Sequence, residues 1–159
     1  MDVKSIEFRE LCQKWHNKMW LWISKEIGNY PLLHNGSTIL NRLKNEFLVL
    51  NIDSISQDFG ISVGGIDRIM SYCFYCFACY YAKSISGAKS VLDYIGIDIF
   101  CHRCPVHWIP KHEETNNLFF CENSDSLYGG LQHYAVTSQE CPDVCRVIAD
   151  LPWDRYSEG

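Results

Sequence analysis

The sequence predicts an α+β fold, mostly α: a single small domain stapled by a central four-cysteine zinc site, with amphipathic helices at both ends. Three observations predict it. Two Cys-x2-Cys pairs, Cys76–Cys79 and Cys101–Cys104, stand about twenty residues apart, the spacing of a structural zinc site. Near both ends, apolar residues recur at three- and four-residue steps, the period of a helix with one buried face. Between them, short apolar runs such as FLVLNI at 47–52 and Val91 to Phe100 fit short strands as well as short helices.

The chain has 159 residues, a length that suits one domain with a real core. Within the domain 1–159, a helical N-terminal part covers 1–50, a zinc-stapled part 66–137 and a C-terminal helix 141–152. With 47% apolar residues and 8 Phe, 5 Trp and 9 Tyr, the composition argues against disorder. The formal charge is −5, which gives no general affinity for phosphate backbones. The opening MDVKSIEFRE is charged and has no apolar leader, and no run of about eighteen apolar residues follows. The expectation is a cytoplasmic protein without a membrane segment. Its nine cysteines are then thiols or metal ligands, not disulfides.

Residues 5–27 read as a helix with Leu11, Trp15, Met19, Trp22, Ile23 and Ile27 on one face. Ser5 caps its start, and Gly28, Asn29 and Pro31 stop it. Of Trp15, Trp20 and Trp22, two belong to the core and one is half-exposed. A turn at His34-Asn35-Gly36 leads to a second helix at 38–50, capped by Ser37, with Ile39, Leu43, Phe47 and Leu50 on one side. Residues 51–65 are polar and glycine-rich, which predicts a loop. Gly64-Gly65 carries no phosphate-binding pattern. Ile66 to Ala82 reads as one helix with Ile66, Ile69, Cys73, Phe77 and Tyr80 or Tyr81 along a stripe, and 83–90 as a loop. Residues 105–137 predict an irregular, metal-pinned region with short helical pieces near Leu127–Ala135. The last helix carries Val144, Val147, Ile148 and Leu151, with Pro142 in its first turn and Pro152 at its end. The tail WDRYSEG is expected to be loose.

The zinc ligands read from spacing are Cys76, Cys79, Cys101 and Cys104, with Cys121 as an alternate in place of Cys101. A Cys-x2-Cys turn brings two thiolates to one ion, and two such turns complete a tetrahedral shell. Cys73 is left out because it lies on the apolar stripe. Three cysteines spaced over six residues of a helix cannot point one way. His102, His107 and His112 are second choices. Cys141 and Cys145, at i and i+4 on the last helix, read as core. An iron–sulfur run would need its fourth cysteine much closer to the first three.

CFACYYA, CHRCPVHW, CENSDSLYGGLQHYA and the ending VIADLPW resemble small uncharacterised proteins of Firmicutes phages and prophages, which carry a tryptophan-rich first helix similar to MWLWIS. The 51–65 segment departs from their shorter pattern. The resemblance implies a small cytoplasmic Zn2+ protein made during infection, and it implies no activity. The function expected is therefore non-enzymatic: binding a host protein and inhibiting a host antiviral defence, in the manner of an anti-CRISPR. Two alternatives stand beside it. A zinc-stapled His-Asn-His nuclease would use His107, His112 and Asn116 or Asn117, but lacks the Asp-His pair expected before that loop. A sponge for a nucleotide signal has Lys83, Lys89 and Arg103 to offer. A zinc deaminase would need His-x-Glu ahead of its cysteine pair, and here His112-Glu113-Glu114 follows it.

Overall fold

The computed structural model describes residues 5–29, 36–87, 104–106 and 140–154. These form helices: α1 Ile6–Glu26, closed by a 3-10 turn Ile27–Asn29, then α2 Gly36–Phe59, α3 Val63–Tyr72, α4 Phe77–Ile85 and α5 Glu140–Ala149. No strand occurs among the described residues. The α+β expectation is therefore corrected to an all-helical fold. The segment FLVLNI lies in the middle of α2. Val91 to Phe100 and Leu127–Ala135 lie outside the described residues.

α1 starts where Ser5 accepts a hydrogen bond on its hydroxyl from the Phe8 N–H at 3.2 Å, satisfying one of the unpaired first-turn donors. Its buried face is Phe8, Cys12, Trp15, His16, Met19, Trp20 and Ile23. That face is turned slightly from the expected one: Leu11 and Trp22 sit at its margin. Trp15 and Trp20 are buried and Trp22 is half-buried, the division expected.

The predicted 51–65 loop is corrected to helix for most of its length. α2 runs on to Phe59 because Ile55 and Phe59 continue the buried row of Leu43, Phe47 and Leu48, while Asp53, Ser54 and Gln57 face solvent. Polar composition there marks the wet face of a helix. Gly60, at φ +67, ends it in the left-handed conformation that glycine adopts without strain. Ser62 then caps α3 by accepting from the Gly65 N–H at 3.1 Å.

α1 is the central element, packed against α2, α4 and α5. Phe8 meets Phe59 and Tyr80 edge-on, with ring centroids at 5.8 and 5.5 Å, and stacks on Tyr81 at 5.9 Å. Trp15 lies between Phe47 and Phe77 at 6.2 and 6.3 Å. Such pairs add about 0.5–1.5 kcal/mol each beyond area burial. This aromatic core holds the described helices together.

α5 docks on α1 through Cys141, Cys145, Ile148 and Ala149. The chain beyond it is tied down as far as Trp153, whose ring packs on His16 at 5.5 Å and Tyr81 at 6.1 Å. The part of the expected loose tail that is described is therefore anchored. No described helix is long and apolar enough to cross a membrane.

Candidate thiol centre

The single helix expected over 66–82 is broken at Cys73. Phe74 and Tyr75 both sit at φ 54, a left-handed conformation that costs a non-glycine residue about 1–2 kcal/mol. Three hydrogen bonds hold the turn: Tyr75 N–H to the Met70 carbonyl at 2.8 Å, Cys76 N–H to the Cys73 carbonyl at 3.0 Å, and Lys83 Nζ to the Tyr72 carbonyl at 2.8 Å. Nothing in the periodicity announces this break, because the stripe Ile66, Ile69, Cys73, Phe77, Tyr80 and Tyr81 stays buried across it.

The break places Cys76 at the N-cap of α4, in an extended backbone conformation. Cys79 is one helical turn on. Around the pair, α1 supplies Cys12 and His16 and α2 supplies Lys44. Cys73 adds a fourth thiol, and Cys12, His16, Lys44 and Cys73 are all buried.

These surroundings sort the thiols. The Cys79 side chain, hydrogen-bonded to Cys76, is the largest influence holding the Cys76 thiol well below the ordinary cysteine range. The His16 ring and the Lys44 charge pull the same way, and together they outweigh burial. Cys76 is half-buried as a residue. Every other shift goes up. Burial, with Cys73 and Cys76 nearby, pushes Cys12 well up. Burial pushes Cys73 to about 12 against the opposing Lys83 charge. Burial does the same to Cys141, to about 11, and to Cys145, to about 12. Four thiols are thus held neutral as small apolar side chains, and one is prepared as a thiolate.

His16 completes the arrangement. Its Nε2 lies 3.0 Å from the Ile148 carbonyl oxygen. A carbonyl only accepts, so Nε2 carries the hydrogen. Nδ1 is buried, with no partner at hydrogen-bonding geometry.

Neither a family model, a curated protein nor a solved structure matches this chain. The site stands on its own chemistry.

Of the expected zinc ligands, Cys76 and Cys79 are brought together. Cys104 is described and buried, but among the described residues no three His, Cys, Asp or Glu side chains gather as a metal-binding group. The all-helical fold of the described residues is thus formed without a zinc-binding group among them. Cys101 and Cys121 lie outside the described residues, as do His102, His107, His112, Asn116, Asn117, Lys89 and Arg103. Setting aside Cys73, Cys141 and Cys145 as core agrees with their burial. Sequence reasoning missed Cys12, His16 and Lys44. The available signal was Cys12-x3-His16, an i, i+4 pair inside the apolar stripe of α1. Lys44, between Leu43 and Phe47, gave no signal at all.

Proposed function

We propose that this chain acts on a partner protein by thiol–disulfide exchange, with Cys76 as the attacking thiol and Cys79 as the resolving thiol. The observation that carries the reading is the placement of Cys76. It is a half-buried residue at a helix N-terminus, its thiol hydrogen-bonded to a second cysteine one turn on. Helix N-termini and Cys-x-x-Cys pairs both favour the thiolate, the nucleophile in exchange. The Cys76 thiolate attacks one sulfur of a partner disulfide, and the partner's S–S bond breaks to release one partner thiol. The Cys79 thiolate then attacks Cys76 in the mixed disulfide and releases the second. The net reaction converts one partner disulfide to two thiols and the 76–79 dithiol to a disulfide.

The test is equilibration in glutathione redox buffers, followed by peptide mass analysis. A reversible 76–79 disulfide, with Cys76 the first thiol labelled by limiting iodoacetamide, is the expected result. Preferential labelling at another cysteine, or failure of the 76–79 bond to form, rejects the reading.

A second reading keeps the same pair as two of four Zn2+ ligands, completed by Cys101 and Cys104, or by Cys121 in place of Cys101. The protein is then a non-enzymatic binder of a host protein that inhibits an antiviral defence. The thiolate character of Cys76 favours it, since zinc takes thiolates. Elemental analysis separates the two. About one zinc per chain, lost in Cys76→Ser, selects the ion; a metal-free protein that forms the 76–79 disulfide selects exchange.

A further inference from the structure

We infer that the outer face of α2 is a docking surface for a basic amphipathic helix of another protein, with Val49 and Leu50 as its apolar contact and Glu46 and Asp53 as its acidic rim. The inference goes beyond the chemistry of residues 76 and 79 and holds whether that pair exchanges disulfides or ligates zinc.

α2 needs one face for its own fold. Leu40, Leu43, Phe47, Leu48, Ile55 and Phe59 are buried, and among the described elements α2 packs against α1 and α3. The opposite face of such a helix is polar when it meets only water. Here Val49 is 62% and Leu50 69% exposed. Neither belongs to the buried row, and a β-branched valine on a wet face lowers helix propensity. Single exposed apolar residues are ordinary. Two in succession, rimmed by charged groups, follow the pattern of an interaction site.

Helix geometry places the charges. At 3.6 residues per turn, Glu46 and Asp53 fall almost in line along this face, about 10 Å apart, and Val49 and Leu50 flank that line, one on each side. Each carboxylate is three or four positions from both apolar residues, and so lies beside them. Glu46 accepts from Arg42 Nε at 3.1 Å, but both side chains are exposed, and such a pair is exchanged at little cost.

The carboxylates select the occupant. A second copy laid on this face, parallel or antiparallel, would set Glu46 and Asp53 against the same acids of its neighbour, which repel. An anionic lipid surface is repelled in the same way. A helix with Lys or Arg seven residues apart and an apolar pair between them meets both demands. Its cations reach Glu46 and Asp53 while its apolar side chains cover Val49 and Leu50. The net charge of −5 draws such a helix in.

The test uses the full chain and a fluorescein-labelled synthetic peptide of about twenty residues, long enough to be helical, with lysines seven residues apart around a leucine pair. Saturable binding by anisotropy is expected, weakened about tenfold in Leu50→Ser and about tenfold or more in Glu46→Lys with Asp53→Lys. That doubly reversed protein should in turn bind the peptide in which glutamates replace the lysines. Glu7→Lys with Glu10→Lys changes the net charge equally at exposed positions of α1. At physiological salt, where distant charges are screened, it should leave the affinity within about twofold. No saturable binding, or equal weakening by the α1 and α2 reversals, overturns the inference. So does self-association in sedimentation that Leu50→Ser abolishes, which makes a second copy the occupant, or binding to phosphatidylserine vesicles that the same substitution abolishes. No readout here involves a cysteine, so failure of this inference leaves the exchange reading standing.

Discussion

Asp58 accepts two hydrogen bonds on one oxygen: Trp15 Nε1–H at 3.0 Å and Lys14 Nζ at 3.2 Å. Lys18 stands over the same indole at 4.8 Å. The two bonds differ in worth. Lys14 is half in solvent, where an ion pair contributes about 0–1 kcal/mol. The indole N–H belongs to a buried ring, and losing its acceptor leaves a donor unmet. Asp58→Ala should therefore lower stability in urea unfolding by about 1–2 kcal/mol, and Lys14→Ala by clearly less. At the N-cap of α1, Ser5→Ala should cost about 1 kcal/mol in the same measurement. Phe8→Ala, which empties a site shared by three aromatic neighbours, should cost about 3–5 kcal/mol.

The last turn of α5 leaves carbonyls with no partner inside the helix. Two consecutive residues of α1 take them: His16 the Ile148 oxygen at 3.0 Å, and Asn17 Nδ2 the Ala149 oxygen at 3.2 Å. Asn17 Nδ2 also reaches Asp150 Oδ1 at 3.2 Å. Asn17→Ala should loosen this end of α5, seen as faster hydrogen exchange there and a stability loss of about 1 kcal/mol. Helices of this kind were legible from periodicity. Both ends of α1, the first-turn proline of α5 and the burial of Trp15 and Ile148 follow from apolar spacing and stop signals. What was not legible follows from two physical facts. A polar stretch such as Asp53-Ser54 reads as loop until the buried Ile55 beside it is counted, since one face of a surface helix is polar anyway. A helix break that keeps its stripe in register, as at Phe74-Tyr75, leaves no trace in that stripe.

For the molecule as a whole, the buried thiols set an alkaline limit. Cys73, Cys141 and Cys145 ionise only at about 12, 11 and 12 when folded, and at ~8.5 when unfolded. Raised folded values give stabilisation that is complete below ~8.5 and is lost as pH rises through the folded values, because the unfolded chain binds fewer protons in that window. Stability from urea titrations should fall steeply above about pH 9. Cys145→Ala should flatten that fall by up to about 1.4 kcal/mol per pH unit. Cys76 works in the opposite sense: with its folded value depressed, its contribution is complete above ~8.5 and is lost as pH falls from there through the lower folded value. The paired thiols at 76 and 79 were legible from their spacing, because Cys-x-x-Cys is a local pattern. Their partners were not, because His16 and Lys44 reach them only through tertiary packing. That packing is what brings residues 12, 16 and 44 to the neighbourhood of the pair.

The bond between His16 and the Ile148 carbonyl spans 132 positions of chain. On a ribosome adding about 5–20 residues per second, the helix carrying Cys76 is made several seconds before the turn that fixes the His16 imidazole. During synthesis the thiol and its neighbours Cys12, Cys73 and Cys79 must wait in a nascent chain whose closing contact does not yet exist. Non-local contacts of this reach also form slowly once the chain is free. The surroundings of Cys76 are in this sense a late property of the molecule, complete only when α5 has folded back onto α1.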